Sequence, residues 1–169
     1  MGGIRRSASR QSRYNGAVEA AFVELARLKT VHEQLLAAIS GLESLLGAEA
    51  PDPRVLTGVR QQLRHCSADR TRLLEEEVYP LVLKTASVTE QETIDALRAD
   101  AARFRPISET HVAMWTTDRI MRTWPKYSSA SASMRESMRR RIQYEQEALY
   151  PMLEARTMGA PDQAPEPEH

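Results

Sequence analysis

RTRLLEEEVYP, Arg70 to Pro80, is the most informative stretch of this chain, because RIQYEQEALYP, Arg141 to Pro151, repeats its pattern 71 residues later. Arginine, glutamate, tyrosine and proline recur at matching places in the two segments. A proline late in a helix removes one backbone donor and kinks or ends the helix. The repeat therefore predicts two long helices that finish in the same way.

The composition is that of an all-α protein with one domain. A chain of 169 residues is long enough for one sizeable core, and it has only 5% aromatic residues and 7 glycines. A net charge of zero gives no reason to expect a nucleic-acid or membrane partner. We expect a cytoplasmic protein, because Cys66 is the only cysteine and no apolar run could span a bilayer. The excess of arginine over lysine suggests a GC-rich, bacterial genome.

The first half of the chain predicts two amphipathic helices. Apolar residues three and four apart run from Val18 to Leu46, and the buried stripe that they form includes His32. Asp52 as N-cap and Pro53 in the first turn predict the start of the second helix. Its expected inner face consists of Leu56, Val59, Leu63, Cys66, Arg70 and Leu73.

The second half predicts a short helix followed by two long ones. Thr89 and Glu92 have capping-box spacing, which predicts a short extra helix between the second and third long helices. Pro106 then opens the third long helix, and Trp124-Pro125 ends it. The expected inner face of the fourth helix consists of Met134, Met138, Arg141, Glu145, Ala148 and Met152.

Four long amphipathic helices with short connections pack most simply as an up-down-up-down four-helix bundle. We assign the bundle to residues 14–157, a disordered arm to residues 1–13 and a disordered, Pro-rich acidic tail to residues 158–169. Polar residues on the apolar stripes would then meet at one level inside the bundle. These residues are His32, Arg70, His111, Asp118, Arg141 and Glu145, with Trp115 beside His111.

The two repeated segments resemble the ligand-bearing helix ends of the hemerythrin-like (HHE) family, whose pattern there is roughly H-x-x-x-E-E-x-x-[LF]-[FY]-P. The resemblance implies a four-helix bundle with two irons held by histidines and bridging carboxylates. His32 and His111 stand where first-helix and third-helix ligands belong, and Glu145 stands where the fourth-helix carboxylate belongs.

Several positions depart from the family pattern. Arg70 and Arg141 stand where the family has histidines, and Leu74 replaces the bridging glutamate of the second helix. Trp115, one turn after His111, stands where some members carry a further ligand. A guanidinium stays protonated and cannot donate a lone pair to a metal. We therefore do not expect a standard di-iron oxygen carrier.

Three interpretations of the polar cluster remain. In the leading one, which needs no cofactor, Arg70, Arg141, Asp118 and Trp115 bind a small polar or anionic molecule, while His32, His111 and Glu145 handle protons. In the second, the same two histidines and the glutamate hold one non-haem iron that senses or uses oxygen or nitric oxide. In the third, the arginines form ion pairs in a metal-free bundle, which acts as an interaction module or homodimer through its exposed helix faces.

Overall fold

The computed structural model describes residues 4–47 and 51–158, with side chains from residue 15 onward. The elements are α1 (Ile4–Leu46), α2 (Pro53–Leu73), a π-helical segment (Leu74–Val78), α3 (Tyr79–Leu83), α4 (Val88–Met114), α5 (Thr117–Arg122) and α6 (Trp124–Thr157). The described residues form no β-strand, which confirms the all-α class for this part of the chain. None of these helices combines the length and apolarity that crossing a bilayer requires. The tail predicted for residues 158–169 lies, from residue 159 on, outside the described ranges.

Helix α1 has the predicted buried stripe but begins earlier than predicted. Its buried residues are Ala21, Leu25, Leu28, His32, Leu35, Ala38, Ile39 and Leu42. The helix starts at Ile4, so the structure is helical over most of the arm that we predicted to be disordered over residues 1–13. Residues 5–13 contain no glycine or proline, and arginine, alanine and glutamine are good helix formers. Helical structure can therefore extend from the packed part of α1 into this segment.

Helix α2 starts and packs as predicted. The Asp52 side chain accepts a hydrogen bond from the Arg54 backbone N–H at 2.7 Å, and Pro53 occupies the first turn. The buried residues of α2 are Leu56, Cys66, Arg70 and Leu73, so Arg70 does face inward. At its end the helix widens, and the Tyr79 N–H bonds to the Leu74 carbonyl five residues back. Pro80 explains this π turn, because its ring would clash with a carbonyl four residues earlier and it has no N–H to donate.

Helix α4 contradicts the predicted boundary at Pro106. It runs unbroken from Val88 to Met114, so the short extra helix and the third long helix are one element. The capping box consists of Ser87 and Glu90, each of which bonds to the other's backbone N–H. Pro106 is tolerated inside the helix because it is exposed, so that water can satisfy the carbonyl that lacks a donor.

The short helix lies after α4 rather than before it. The chain breaks at Trp115 and Thr116, the Thr116 side chain caps α5, and α6 starts at Trp124 with Pro125 in its first turn. Trp124-Pro125 therefore opens a helix, whereas we predicted that it ends one. This also moves the inner face of α6. Its buried residues are Trp124, Tyr127, Ser131, Ile142, Glu145, Leu149 and Leu153, and of the predicted stripe only Glu145 is fully buried.

The long helices pack around α1, and α4 lies to one side. Helix α1 packs against α2 and α6, whereas α4 packs against α6 and α3. The part of α4 beyond Phe104 contributes little to the core, because Ile107 is 59% exposed and Met114 is 46% exposed. A cavity of about 1000 Å³ lies between α2, α4 and α6.

Candidate functional site

A buried hydrogen-bonded network lies between α1, α2 and α6. The carboxylate of Glu145 accepts hydrogen bonds from Arg70 Nε at 2.7 Å and from Arg70 Nη2. Its Oε2 also lies 3.0 Å from His32 Nε2, and His32 Nδ1 lies 2.9 Å from the Tyr150 hydroxyl. His32, Arg70 and Glu145 are all buried, and Tyr150 is partly buried. The network therefore joins three helices through one carboxylate.

The charges within this network fix the state of Glu145. Burial raises the pKa of Glu145, but the hydrogen bonds from Arg70 and His32 outweigh burial and lower it to about 2. The carboxylate is therefore ionised at neutral pH. Oε2 of Glu145 faces His32 Nε2, and His32 Nδ1 faces the Tyr150 hydroxyl, so both ring nitrogens of His32 have hydrogen-bond partners. These bonds use the Tyr150 hydroxyl, both carboxylate oxygens of Glu145, and Nε and Nη2 of Arg70.

The local sequence explains how the three side chains meet. His32 continues the spacing of α1 between Leu28 and Leu35, and Glu145 lies between Ile142 and Leu149 on α6. Arg70 is in the last turn of α2, just before the π-helical segment. The apolar periodicity that buries one face of each helix therefore places His32, Arg70 or Glu145 on that buried face.

The structure brings together only part of the predicted site. His32, Arg70 and Glu145 meet, as predicted. His111 lies elsewhere, with its ring centroid 6.1 Å from that of Tyr127 and 6.4 Å from that of Trp115.

Asp118 and Trp115 also depart from their predicted places. Asp118 is exposed in the first turn of α5, so the predicted inward position is wrong. The helix break at Trp115 changes the phase of the chain between His111 and Asp118, and the two residues no longer share a face. Trp115 is buried in a cluster with Leu42, Leu56 and Ile120, and it does not line the cavity.

The donor set does not fit the iron that the family resemblance implies. Within residues 15–47 and 51–158, no three His, Cys, Asp or Glu side chains lie close enough together to hold a metal ion. Glu145 is bonded to a guanidinium through both oxygens, and Arg70 cannot serve as a ligand. Two groups, His32 and Glu145, would remain for a metal, and both already have hydrogen-bond partners.

Arg141 lies near the network but has a different partner. Its Nε lies 3.2 Å from Asp100 Oδ2, and its guanidinium lies 4.8 Å from the centroid of the Phe104 ring. Burial lowers the pKa of Arg141, and the positive charge of Arg70 lowers it further. Two guanidinium groups therefore lie near each other, and each has one carboxylate partner.

Arg70 and Arg141 both line the cavity between α2, α4 and α6, and so does His111. The lining contains seven arginines and three glutamates, and it contains no lysine or aspartate. The arginines are Arg60, Arg64, Arg70, Arg72, Arg105, Arg135 and Arg141. Its apolar wall includes Leu63, Phe104, Met134 and Met138. His32 and Glu145 do not line the cavity, so they can act on a bound molecule only through Arg70.

Sequence reasoning missed three residues that line this cavity beside His111. They are Arg60, Tyr127 and Arg135. The spacing Trp124, Tyr127, Ser131 would have placed Tyr127 on the inner face of α6, but the prediction ended a helix at Trp124.

Comparisons of the chain with protein-family models, with curated proteins and with solved structures gave no match.

Proposed function

We propose that this chain is a remodelled hemerythrin-like bundle that binds a small organic anion in the cavity between α2, α4 and α6. We place it in the cytoplasm, with a ligand rather than a metal as its partner. The proposal keeps the ligand-binding role of Arg70 and Arg141. It reassigns His32 and Glu145 from proton transfer to positioning Arg70.

The observation that carries the proposal is the combination of an open cavity with a cationic lining. Seven arginines and three glutamates line a partly enclosed space. Four of these arginines form ion pairs with carboxylates outside the lining, so the positive charge that a ligand would meet comes chiefly from the three that form no ion pair within the described ranges, Arg60, Arg64 and Arg105. Arginine binds carboxylates and phosphates through paired N–H donors, so the expected ligand is an anion with planar or tetrahedral oxygens. Apolar side chains among the arginines indicate that the ligand also has an apolar part.

The Arg70–Glu145–His32 network gives the cavity a fixed wall. Glu145 binds two donors of the Arg70 guanidinium, and His32 holds the carboxylate from the other side. Because the Arg70 side chain is already held in place, little side-chain conformational entropy is lost when a ligand binds. His32 and Glu145 thus support binding by holding Arg70 in place, and they do not line the cavity themselves.

Charge selectivity tests the proposal. Isothermal titration calorimetry would compare three anions, decanoate, naphthalene-2-carboxylate and phenyl phosphate, with one cation, decyltrimethylammonium. We expect at least one anion to bind at one site per chain, with an affinity that falls as salt is raised, and no binding of the cation. Binding of decyltrimethylammonium as tightly as decanoate, or no binding of any anion, would contradict the proposal.

A second candidate is a metal-free interaction or dimerisation module, because the partners of Arg70 already satisfy its charge inside the protein. In that case the arginines only replace a lost metal as structural ion pairs. The Arg141→Leu variant separates the two candidates. A module that acts through its surface keeps its function in this variant, whereas anion binding in the cavity weakens.

A further inference from the structure

We propose that the anionic group of the ligand binds at the end of the cavity lined by Arg60, His111, Tyr127 and Arg135, and that its apolar body extends along α6 toward Met138. We call these four residues the arginine–tyrosine cluster. This inference rests on the proposed function, because it names the class of ligand, an elongated organic acid, and the orientation in which it binds.

The four side chains converge from three helices. The Arg60 guanidinium of α2 lies 5.9 Å from the centroid of the Tyr127 ring of α6. The His111 ring of α4 lies 6.1 Å from the same ring, and Arg135 is two turns further along α6. The charges of Arg60 and Arg135 both act on the Tyr127 phenol, and all four residues line the cavity.

The cluster has donors that the protein leaves available. Within the described ranges Arg60 makes one hydrogen bond, from Nη2 to the Trp115 carbonyl at 2.6 Å, and it forms no ion pair. Arg135 donates from Nη1 to Ser131 Oγ at 2.5 Å, while its buried Nε makes no hydrogen bond and has Glu43 Oε1 at 3.5 Å. Among the described side chains, none forms a hydrogen bond with the Tyr127 hydroxyl. A carboxylate placed here would therefore find several unused N–H and O–H groups.

The other end of the cavity offers less. Arg70 uses Nε and Nη2 on Glu145, and Arg141 uses Nε on Asp100. A ligand carboxylate there would compete with carboxylates that are already in place. Three of the lining arginines form no ion pair within the described ranges: Arg64 and Arg105, which are exposed, and Arg60, which is partly buried. The partly buried positive charge without a carboxylate partner therefore lies at the arginine–tyrosine cluster, on Arg60.

His111 adds a neutral donor to the cluster. Burial lowers the pKa of His111, and the positive charge of Arg60 lowers it further, so the ring is neutral at pH 7. A neutral imidazole keeps one N–H that can donate to an anion, without adding a third positive charge beside Arg60 and Arg135.

The rest of the cavity fits an elongated apolar body. Leu63 of α2 and Met134 and Met138 of α6 also line the cavity. On α6, Met134 is next to Arg135 in the chain, and Met138 lies about one turn past Arg135. The Arg135 guanidinium donates to Ser131, and from Ser131 to Met138 the helix rises about 10 Å, at 1.5 Å for each residue. Methionine side chains adapt to ligands of different shape, because they are unbranched and flexible. A straight-chain or extended aromatic acid therefore suits this space better than a compact anion.

Tryptophan fluorescence gives a local test of the orientation. The chain has two tryptophans, and both lie against Tyr127, with ring centroids 5.4 Å away for Trp115 and 6.0 Å away for Trp124. Decanoate would be titrated into the wild type and into Arg60→Gln and Arg135→Gln, with calorimetry alongside. The matched controls are Arg54→Gln on α2 and Arg140→Gln on α6, which remove exposed arginines outside the cavity lining.

We expect decanoate to change the wild-type fluorescence, and either cluster variant to weaken decanoate binding by about tenfold or more, since each removes a charge-assisted hydrogen bond. The two controls should bind as the wild type does, and Arg141→Gln should weaken binding less than either cluster variant. Arg60→Gln and Arg135→Gln are independent, so one folded variant is enough to decide.

Two results would overturn the inference. If Arg141→Gln weakens binding more than both cluster variants, or if calorimetric binding leaves the fluorescence unchanged, the acid lies at the other end of the cavity and the proposed function still stands. If decanoate and the other anions give no binding heat with the wild type, the inference and the proposed function both fail.

Discussion

At the scale of single residues, Glu145 links the buried polar side chains of three helices. One carboxylate satisfies two donors of Arg70 and one nitrogen of His32. The sequence predicted that these three residues meet, because each continues an apolar stripe. Ion pairs of the arginines with Glu145 were one of three interpretations, and the sequence alone could not choose among them, since the pairing depends on the relative heights of three helices.

The sequence also placed His111 and Asp118 in the same group as Glu145. The helix break at Trp115 explains the position of Asp118. His111, in contrast, lies before the break on α4, which packs against α6 and α3 to one side of the network.

Glu145→Gln should destabilise the protein by about 3 kcal/mol, because it leaves the buried guanidinium of Arg70 without a countercharge. Urea unfolding monitored by circular dichroism measures the change. The control is Glu147→Gln, which alters an exposed carboxylate two residues away. A loss below about 1 kcal/mol would mean that the Arg70–Glu145 pair is not buried as described.

The same pair makes stability depend on pH. Because folding lowers the pKa of Glu145 from 4.5 to about 2, its contribution is complete above the unfolded value and is lost as the pH falls toward 2. Between pH 6 and pH 3 the stability difference between wild type and Glu145→Gln should shrink by about 2 kcal/mol. Urea unfolding of both proteins at each pH tests this, and a difference that stays constant would argue against an ionised, hydrogen-bonded Glu145.

At the scale of elements, α1 and α2 follow the sequence pattern, whereas the region between Val88 and Trp124 does not. Regular spacing over many turns made the first two helices predictable. Two prolines led to wrong helix boundaries. Pro106 is exposed and is tolerated within α4, and Trp124-Pro125, which starts α6, fits a helix start as well as a helix end. Local signals alone do not distinguish these outcomes.

The start of α4 gives a test of this correction. Ser87→Ala should cost about 1 kcal/mol, since the Ser87 side chain caps the Glu90 N–H. Thr89→Ala, which removes the residue that the sequence predicted as the cap, should cost much less. Thermal or urea unfolding compares the two variants. A larger loss for Thr89→Ala would place the start of the helix two residues later than the structure has it.

At the scale of the whole molecule, guanidinium groups stand where the family resemblance implies metal ligands, and a cationic cavity lies beside them. We therefore expect protein purified from iron-rich medium to hold well below one equivalent of iron per chain by elemental analysis, with no further change in His32→Ala. One equivalent in the wild type that is lost in His32→Ala would instead support the mononuclear iron site.

If the cavity between α2, α4 and α6 is the binding site, a bulky residue that fills it should block binding. Ser108 of α4 lines the cavity, and Ser133 of α6 is exposed outside it. Calorimetric titration of decanoate should show binding to the wild type and to Ser133→Trp, and a loss of about tenfold or more in affinity for Ser108→Trp. Equal affinity of Ser108→Trp and wild type would show that decanoate does not bind in this cavity.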